Sequence, residues 1–550
     1  MPVVGWCLRV AGLFRIMTSR LCLILALSIS APLSALAAAP AEIALEEGEF
    51  PPIYDTRAAA DRDGTLGAAA LDVNGDDLVD FFIGQGRGKN DVLVLQDEET
   101  KWVVTTLDPA NTETSTAALA VDVTRDFRPD LIVARRSGTY LYINDGRGGF
   151  KRQGRLPIAQ TRLGDGVTTA LIAGDVNGDG WIDIFESRRD GSAGDGDRLW
   201  MNVGRLSHGK AQFKEQAFER DVAACCSSTA AAFVDFDQDR DLDLLVAGLS
   251  GQLTLFNNDG DGKFTSEVID VPGADWTGLA TGDIDNDGDV DIVLGGAPTA
   301  DAQSAVRVLE NNEAEFSDVT EKLKIAVDNS VTSVTLVDFD ADGYMDIAAS
   351  GMAASDGGRY LRNNRVTKIF DDVSSAAPAA DKDLASIVTA DVDRDGFSDQ
   401  LHITRGGKLA LMRNGTEKTN WLGVRLRGRD ERAVAGARVV LRMKDGTRLT
   451  GHYKIGEGSA VSSNDEVMFG LGRRAEITVL EVNWPSGKYT RVDGPDINRH
   501  IGFVEPSDEN HTDVSIKYPM FGYIEQFNKR LETDPGLRRR TRPKPRMMCR

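Results

Sequence analysis

The chain has 550 residues, with 63 Lys+Arg against 85 Asp+Glu for a formal net charge of −22, and 41% of it is hydrophobic. That apolar content excludes a disordered acidic chain, and the negative balance argues against a nucleic-acid binder, which needs a basic surface. Five His and five Cys leave few groups for His- or Cys-based chemistry.

The N-terminus reads as an export signal over residues 1–37. Leu21 to Ala39 is apolar or small, Arg9, Arg15 and Arg20 precede it, and Ala35-Leu36-Ala37 fits a small-residue cleavage site. Met17 is an alternative start, since it gives a shorter basic region. No later apolar stretch is long enough to span a bilayer, so the mature chain is expected to be secreted, periplasmic or cell-surface, without a transmembrane span. Only Cys225, Cys226 and Cys549 would then remain. The adjacent pair is open to two readings, a strained vicinal ring or two small thiols.

Residues 38–418 are organised by an acidic loop that returns seven times at intervals of 48 to 60 residues. The first copy is Asp72, Asn74, Asp76 and Asp80. The second is Asp122, Asp126 and Asp130, and the third is Asp175, Asn177, Asp179 and Asp183. The remaining four are Asp235, Asp237, Asp239 and Asp243; Asp283, Asp285, Asp287 and Asp291; Asp338, Asp340, Asp342 and Asp346; Asp391, Asp393, Asp395 and Asp399.

A small-residue apolar run precedes each loop, as in Ala68-Ala69-Ala70-Leu71. A β-rich run follows it, as in Leu131-Ile132-Val133. A third strand often ends in Asn (Asn144, Asn257, Asn311), and a turn then leads to a Phe (Phe150, Phe264, Phe316). Short strands at regular spacing without amphipathic helices predict an all-β fold. Four strands in each of seven units predict a seven-bladed β-propeller. The seventh unit is one strand short, and Phe50-Pro-Pro-Ile-Tyr54 resembles the missing outer strand, so the N-terminal segment is expected to close the ring.

Loop positions 1, 3, 5 and 9 place oxygens to converge on a hard cation, with the position-7 backbone carbonyl completing the set. Oxygen ligands without His or Cys favour Ca²⁺ over Mg²⁺ and exclude zinc. Up to seven ions are expected. Loops 3, 5, 6 and 7 are the stronger sites, with Gly180, Gly288, Gly343 and Gly396 at position 6. Loops 1 and 4 carry Asp77 and Arg240 there. Loop 2, with Thr124, Phe127 and Pro129, is the copy expected to be empty. Asp175 to Glu186 also matches an EF-hand pattern, but the other copies carry Ile83, Val133, Val246, Leu294, Ala349 and His402 at that twelfth position, so Glu186 is read as a strand residue.

These units resemble the FG-GAP/VCBS repeats of integrin-α-type propellers over roughly residues 60–415. Trp421-Leu-Gly-Val-Arg-Leu-Arg-Gly428, Gly436-Ala437-Arg438-Val439, Phe469-Gly-Leu-Gly472 and Trp484-Pro-Ser-Gly487 resemble the ASPIC/UnbV domain, expected as a small β-rich unit over 419–505. The pairing is similar to the cartilage acidic protein family. The stretch Gly456–Asn464 departs from that family's usual Gly-Ser-Gly-Tyr-x-Ser-Gln run. The resemblance implies an exported calcium-binding or adhesion-type protein without generally assigned chemistry.

The leading expectation is a binding module for an extracellular or periplasmic protein or glycan, using the face opposite the loops. Trp276, Cys225, Cys226 and the segments Arg188–Asp197, Ala297–Gln303 and Ala353–Gly358 fall on that face; Trp276 is either a platform for a sugar or peptide ring or a wedge between blades. The alternative is a calcium-dependent carbohydrate-active enzyme, a lyase or dehydratase, with His402 and His452-Tyr453 as its acid/base candidates. A quinone-cofactor propeller using Cys225-Cys226 is a weaker third reading. Residues 506–550 form an extension whose last stretch, Arg538 to Arg550, holds seven basic residues and no acid, read as a solvated tail or, alternatively, as an attachment to an acidic surface.

Overall fold

The structure is a computed structural model that describes residues 45–507, apart from 52–65, 98–100, 158–165, 190–195, 206–210, 224–226, 274, 300–303, 352–357, 376–383, 405–407, 417–418, 459–460 and 463–465. The export signal, Cys225, Cys226 and the basic tail lie outside the described residues.

Among the described residues, seven sheets of four antiparallel strands follow one another along the chain, the first of them joined by a fifth, parallel strand from the C-terminal region, Val461–Ser462. Their inner strands, Ala68–Leu71, Ser115–Val121, Val167–Gly174, Ser228–Val234, Trp276–Gly282, Val331–Val337 and Leu384–Ala390, stand side by side in that order, and the last returns to the first. The fold is therefore an all-β propeller. Small residues recur in these strands, as in Ala68-Ala69-Ala70 and Ala230-Ala231-Ala232, where neighbouring backbones approach closely. A Cβ on Gly278 would lie 2.8 Å from the backbone nitrogen of Val334 in the next sheet.

Each sheet turns from its inner to its second strand through one acidic loop, and the position-9 aspartate opens the second strand (Asp80–Ile83, Asp130–Arg135, Asp183–Arg189 and so on). Position 2 is buried in all seven loops, as Val73, Val123, Val176, Phe236, Ile284, Phe339 and Val392. Glu186 lies in the strand Asp183–Arg189 and is fully buried against Arg188, Thr139 and Thr168. The EF-hand pattern is therefore a coincidence of sequence.

The N-terminal segment does complete the last sheet, through Leu45–Glu47 and not through Phe50; Ile53 and Tyr54 of the expected strand lie outside the described residues. Leu45 pairs with Asn414 and Glu47 with Met412. Leu45 is buried beside Ala410 and Met412. Phe50 has left the strand and packs on Phe81 and Trp102 of the first sheet, at ring-centroid distances of 5.9 and 5.2 Å. The aromatic marks the handover to the first sheet.

Two further sheets follow the propeller: Asn420–Arg427 between Val467–Gly472 and His500–Val504, and Arg438–Met443 between Arg448–His452 and Ile477–Asn483, with Tyr489–Asp493 at the edge. They share one apolar core that includes Leu422, Val439, Leu441, Leu471, Leu480 and Trp484. From this unit Ile455, Gly458, Val461 and Ser462 reach the propeller's inner strands. Ile455 bridges Ala173 and Gly458 bridges Ala231, while Val461-Ser462 pairs in parallel with Ala68-Ala69.

Candidate metal sites on the acidic loops

All seven loops have one backbone shape. Positions 4 and 6 are left-handed in every copy, whether filled by Gly178 and Gly180 (φ 67° and 86°) or by Arg125 and Phe127 (φ 55° and 68°). Glycine adopts this region freely, whereas a side chain is strained there.

Hydrogen bonds from the aspartates enforce the shape. The position-1 carboxylate accepts backbone N–H groups from positions 5 and 6, as Asp338 does from Asp342 at 2.9 Å and Gly343 at 2.8 Å. The position-5 carboxylate accepts the position-7 N–H, as Asp342 does from Tyr344 at 3.1 Å. The position-9 carboxylate accepts two amides, one from the start of the loop and one from the end of the third strand. For Asp346 these are Phe339 at 3.1 Å and Asn363 at 2.7 Å.

The residue donating that second amide is Gln96, Asn144, Asn202, Asn258, Asn311, Asn363 or Asn414. Its side-chain amide donates in turn to the position-2 carbonyl of the preceding sheet's loop: Asn144 to Val73 at 3.0 Å, Asn363 to Ile284 at 2.9 Å, Asn414 to Phe339 at 2.9 Å. Gln96 completes the circle on Val392 at 3.3 Å. The strand-ending Asn was visible in the sequence, but its role as an inter-blade clamp was not. In the fourth sheet the clamp is Asn258, next to the exposed Asn257. At the other end of the inner strands, threonines at a regular β-bulge do similar work. Thr169 donates to the Ser228 carbonyl at 2.9 Å and Thr277 to that of Val331 at 2.6 Å.

Beyond holding the loop, the carboxylates converge. Oxygens of Asp283, Asp285 and Asp291 lie within 4.8 Å of one another, as do those of Asp338, Asp340 and Asp346, those of Asp391, Asp393 and Asp399, and those of Asp235, Asp237 and Asp239. In loops 5 to 7 the converging set is positions 1, 3 and 9, while Asp287, Asp342 and Asp395 of position 5 stand outside it. In loop 4 it is positions 1, 3 and 5, and Asp243 stands outside. In loops 1 and 3 the amides of Asn74 and Asn177 donate to Asp76 and Asp179 at 2.9 and 3.1 Å.

Burial, followed by the neighbouring carboxylates, pushes these acids up from their ordinary values. Asp72, Asp175 and Asp235 rise to about 6, Asp80, Asp243, Asp283 and Asp340 to about 7, and Asp291 and Asp399 to about 8, with backbone hydrogen bonds opposing the rise in most. Carboxylates crowded out of water resist ionisation unless a positive charge joins them.

Three oxygens make the fit to a cation specific. Asp235 Oδ1, Asp283 Oδ2 and Asp340 Oδ1 are buried with no hydrogen-bond partner. Buried polar atoms are normally satisfied, and an all-oxygen set of this kind suits a hard divalent ion. In loop 2 the guanidinium of Arg128 instead pairs with Asp126, and Thr124 stands at position 3. In loop 7 Arg413 reaches Asp393 at 2.8 Å and Asp399 at 3.8 Å.

Trp276 is not a platform. It is 1% exposed and packs among Val271, Leu279, Leu294 and Leu309, while its carbonyl accepts the Thr229 hydroxyl of the preceding sheet at 2.5 Å. It is the wedge between two sheets. His402 is buried against Tyr360 and Gln400. Burial, then the charges of Lys454, Arg438 and Arg448, pushes His452 down to about 3, so it is neutral near pH 7.

The FG-GAP-like repeat model matches residues 122–186 and 235–294, and the ASPIC and UnbV model matches 427–510. The chain is 25% identical over 382 residues to cartilage acidic protein 1 of Mus musculus, covering 65% of this chain and 56% of that one. It is 26% identical over 326 residues to that of Homo sapiens, covering 56% and 48%. The chain thus spans about half the length of the curated relatives it matches. A solved structure of BBS1N in complex with ARL6DN aligns at a TM-score of 0.43 and 13% identity, covering 67% of this chain and 96% of that one.

Proposed function

We propose that this chain, a propeller of FG-GAP-like repeats followed by an ASPIC/UnbV domain, is an exported calcium-binding module that presents a surface to an extracellular or periplasmic protein or glycan. Repeated loops that gather buried, partnerless carboxylate oxygens carry the calcium half of this reading. Calcium would neutralise the crowded acids and stiffen the turn between inner and second strands, fixing the sheets that bear the binding surface. That surface is the face opposite the loops, since the C-terminal sheets lie against the loop side. Among the described residues, no helix is long and apolar enough to cross a membrane.

Titration of chelator-treated protein with calcium, followed by calorimetry and thermal melting, tests the first half. Binding with a rise in melting temperature is the expected result, because a ligand of the native state must stabilise it. A melting curve indifferent to calcium and EDTA would reject the metal assignment. Screening the loaded protein against glycan and peptide arrays tests the second half. Turnover of an acidic polysaccharide into product would replace the binding module with a carbohydrate-active enzyme.

A further inference from the structure

We infer that the C-terminal domain is the built-in cover of the metal face, seated on the sixth position of every acidic loop and holding the bound ions in. The cover rests on contacts alone; its effect on ions rests on the calcium reading above.

Position 6 explains itself only when the C-terminal domain is considered. Four loops have glycine there, and each glycine lies flat under that domain. A Cβ on Gly343 would stand 2.8 Å from the Gly470 carbonyl, one on Gly180 2.6 Å from Arg432, and one on Gly288 2.5 Å from Arg448; one on Gly396 would enter the Trp421 ring. The other three loops carry a side chain there, and each side chain meets the same domain. Asp77 pairs with Arg425 at 2.9 Å, the Phe127 ring lies 4.5 Å under the Arg427 guanidinium, and Arg240 reaches Gly487. Loop backbone alone would not produce this division, because Asp77, Phe127 and Arg240 hold the same left-handed turn.

On loops 3, 5 and 6 the cover grips backbone carbonyls, whereas on loop 7 its His500 Nε2 comes within 3.5 Å of Asp391 Oδ2. Arg432, Arg448 and Arg474 donate to loop carbonyls, those of Gly178 at 3.0 Å, Asp287 at 3.1 Å and Asp342 at 2.8 Å. The unpartnered oxygens of Asp283 and Asp340 remain available. Ile455, Gly458, Val461 and Ser462 anchor the cover through their pairing with the inner strands. Beside them, Lys454 donates to the Thr281 carbonyl at 2.5 Å, and Glu457 accepts the Thr281 amide at 2.7 Å. Ordered loops give the cover its seat, and the seated cover closes the way out. Ion binding and docking therefore favour each other, and by linkage each strengthens the other equally.

The test uses the full chain. Calcium is loaded and its release into a fluorescent chelator is timed, while hydrogen exchange follows the Gly458 amide, which donates to the Ala231 carbonyl across the junction. Gly343→Asn introduces a residue that tolerates a left-handed turn but strikes the Gly470 carbonyl. Gly75→Asn is its match for strain, with nothing within 4 Å of the added Cβ. Arg474→Ala removes a grip from the cover side and serves if Gly343→Asn does not fold.

Gly343→Asn and Arg474→Ala are expected to release calcium about tenfold faster and to lose protection at Gly458, with the number of ions unchanged. Gly75→Asn is expected to behave as wild type. Release and protection at wild-type levels in both cover variants would overturn the inference. A wild type that takes up no calcium sinks the metal reading and the coupling together. Uptake with release indifferent to Gly343 sinks the coupling alone, and exchange at Gly458 judges the cover itself.

Discussion

Loop 2 and loop 6 share a backbone and differ in chemistry. In both, positions 4 and 6 are left-handed, position 1 accepts the amides of positions 5 and 6, and position 9 accepts an amide from the third strand. Loop 6 gathers Asp338, Asp340 and Asp346 with a partnerless oxygen on Asp340. Loop 2 offers Thr124 and closes Asp126 on Arg128. Aspartates at positions 1, 5 and 9 are thus sufficient to fold the turn. Position 3 and the charge at position 7 decide what the turn can hold.

The largest test of that separation is removal of calcium. Each occupied site contributes about 2.7 kcal/mol of stability when free calcium is a hundredfold above its dissociation constant. EDTA is therefore expected to lower the melting temperature more than any single substitution. The effect has a pH sign. Asp291 and Asp399 titrate at about 8 in the metal-free fold, above an unfolded carboxylate. Stability from their protonated forms is present at low pH and is lost as pH rises through 8. Metal-free protein should weaken from pH 5 to 9, so the gain on adding calcium should grow over the same range. A gain that shrinks with pH would contradict ion binding to these acids.

Next in size is Asp346→Ala against Asp130→Ala. Each strands two buried backbone amides, costing about 3 kcal/mol in denaturant melts. The loss should be alike in metal-free protein, because position 9 serves the fold in both loops. A smaller, countable effect is expected from converting loop 2. Thr124→Asp with Arg128→Tyr, the residue types of loop 6, should add one bound calcium by calorimetry. Unchanged stoichiometry would mean that Pro129 or Phe127 matters more than the ligands. The smallest is Asn144→Ala, which removes the clamp on Val73 and should cost about 1 kcal/mol without altering the number of ions.

The propeller was legible because its signal repeats. Seven position-1 aspartates in phase fix where each inner strand ends and each second strand begins. Even Glu186, inside a complete EF-hand pattern, could be placed in a strand by comparison with Val133 and Val246. Contacts between units left weaker marks. The Asn and Thr clamps look like ordinary polar strand ends until the neighbouring sheet is in view. Trp276 offered two readings because a buried wedge and a stacking platform need the same ring. Phe50 resembled a strand partner but belongs to the next aromatic cluster. Glycine at position 6 marks the stronger loops in the sequence, but nothing there shows that each position 6 also meets the C-terminal domain. Such pairings depend on residues far apart in sequence, where a repeat pattern is silent.

The strand Leu45–Glu47 has a consequence for how the molecule assembles. It is the earliest described strand, yet its partner, Leu409–Asn414, is the last strand of the propeller. No order of synthesis can place it early. The opening segment must wait, unpaired, while seven inner strands form, and the entropic cost of closing so long a loop is met by this short pairing together with the contacts between the last and first sheets. Formation of the other sheets is expected to precede this closure. A ring sealed by its own beginning comes open at one known seam, so strain or heat should part Leu45–Glu47 from Leu409–Asn414 before any other pair of neighbouring strands.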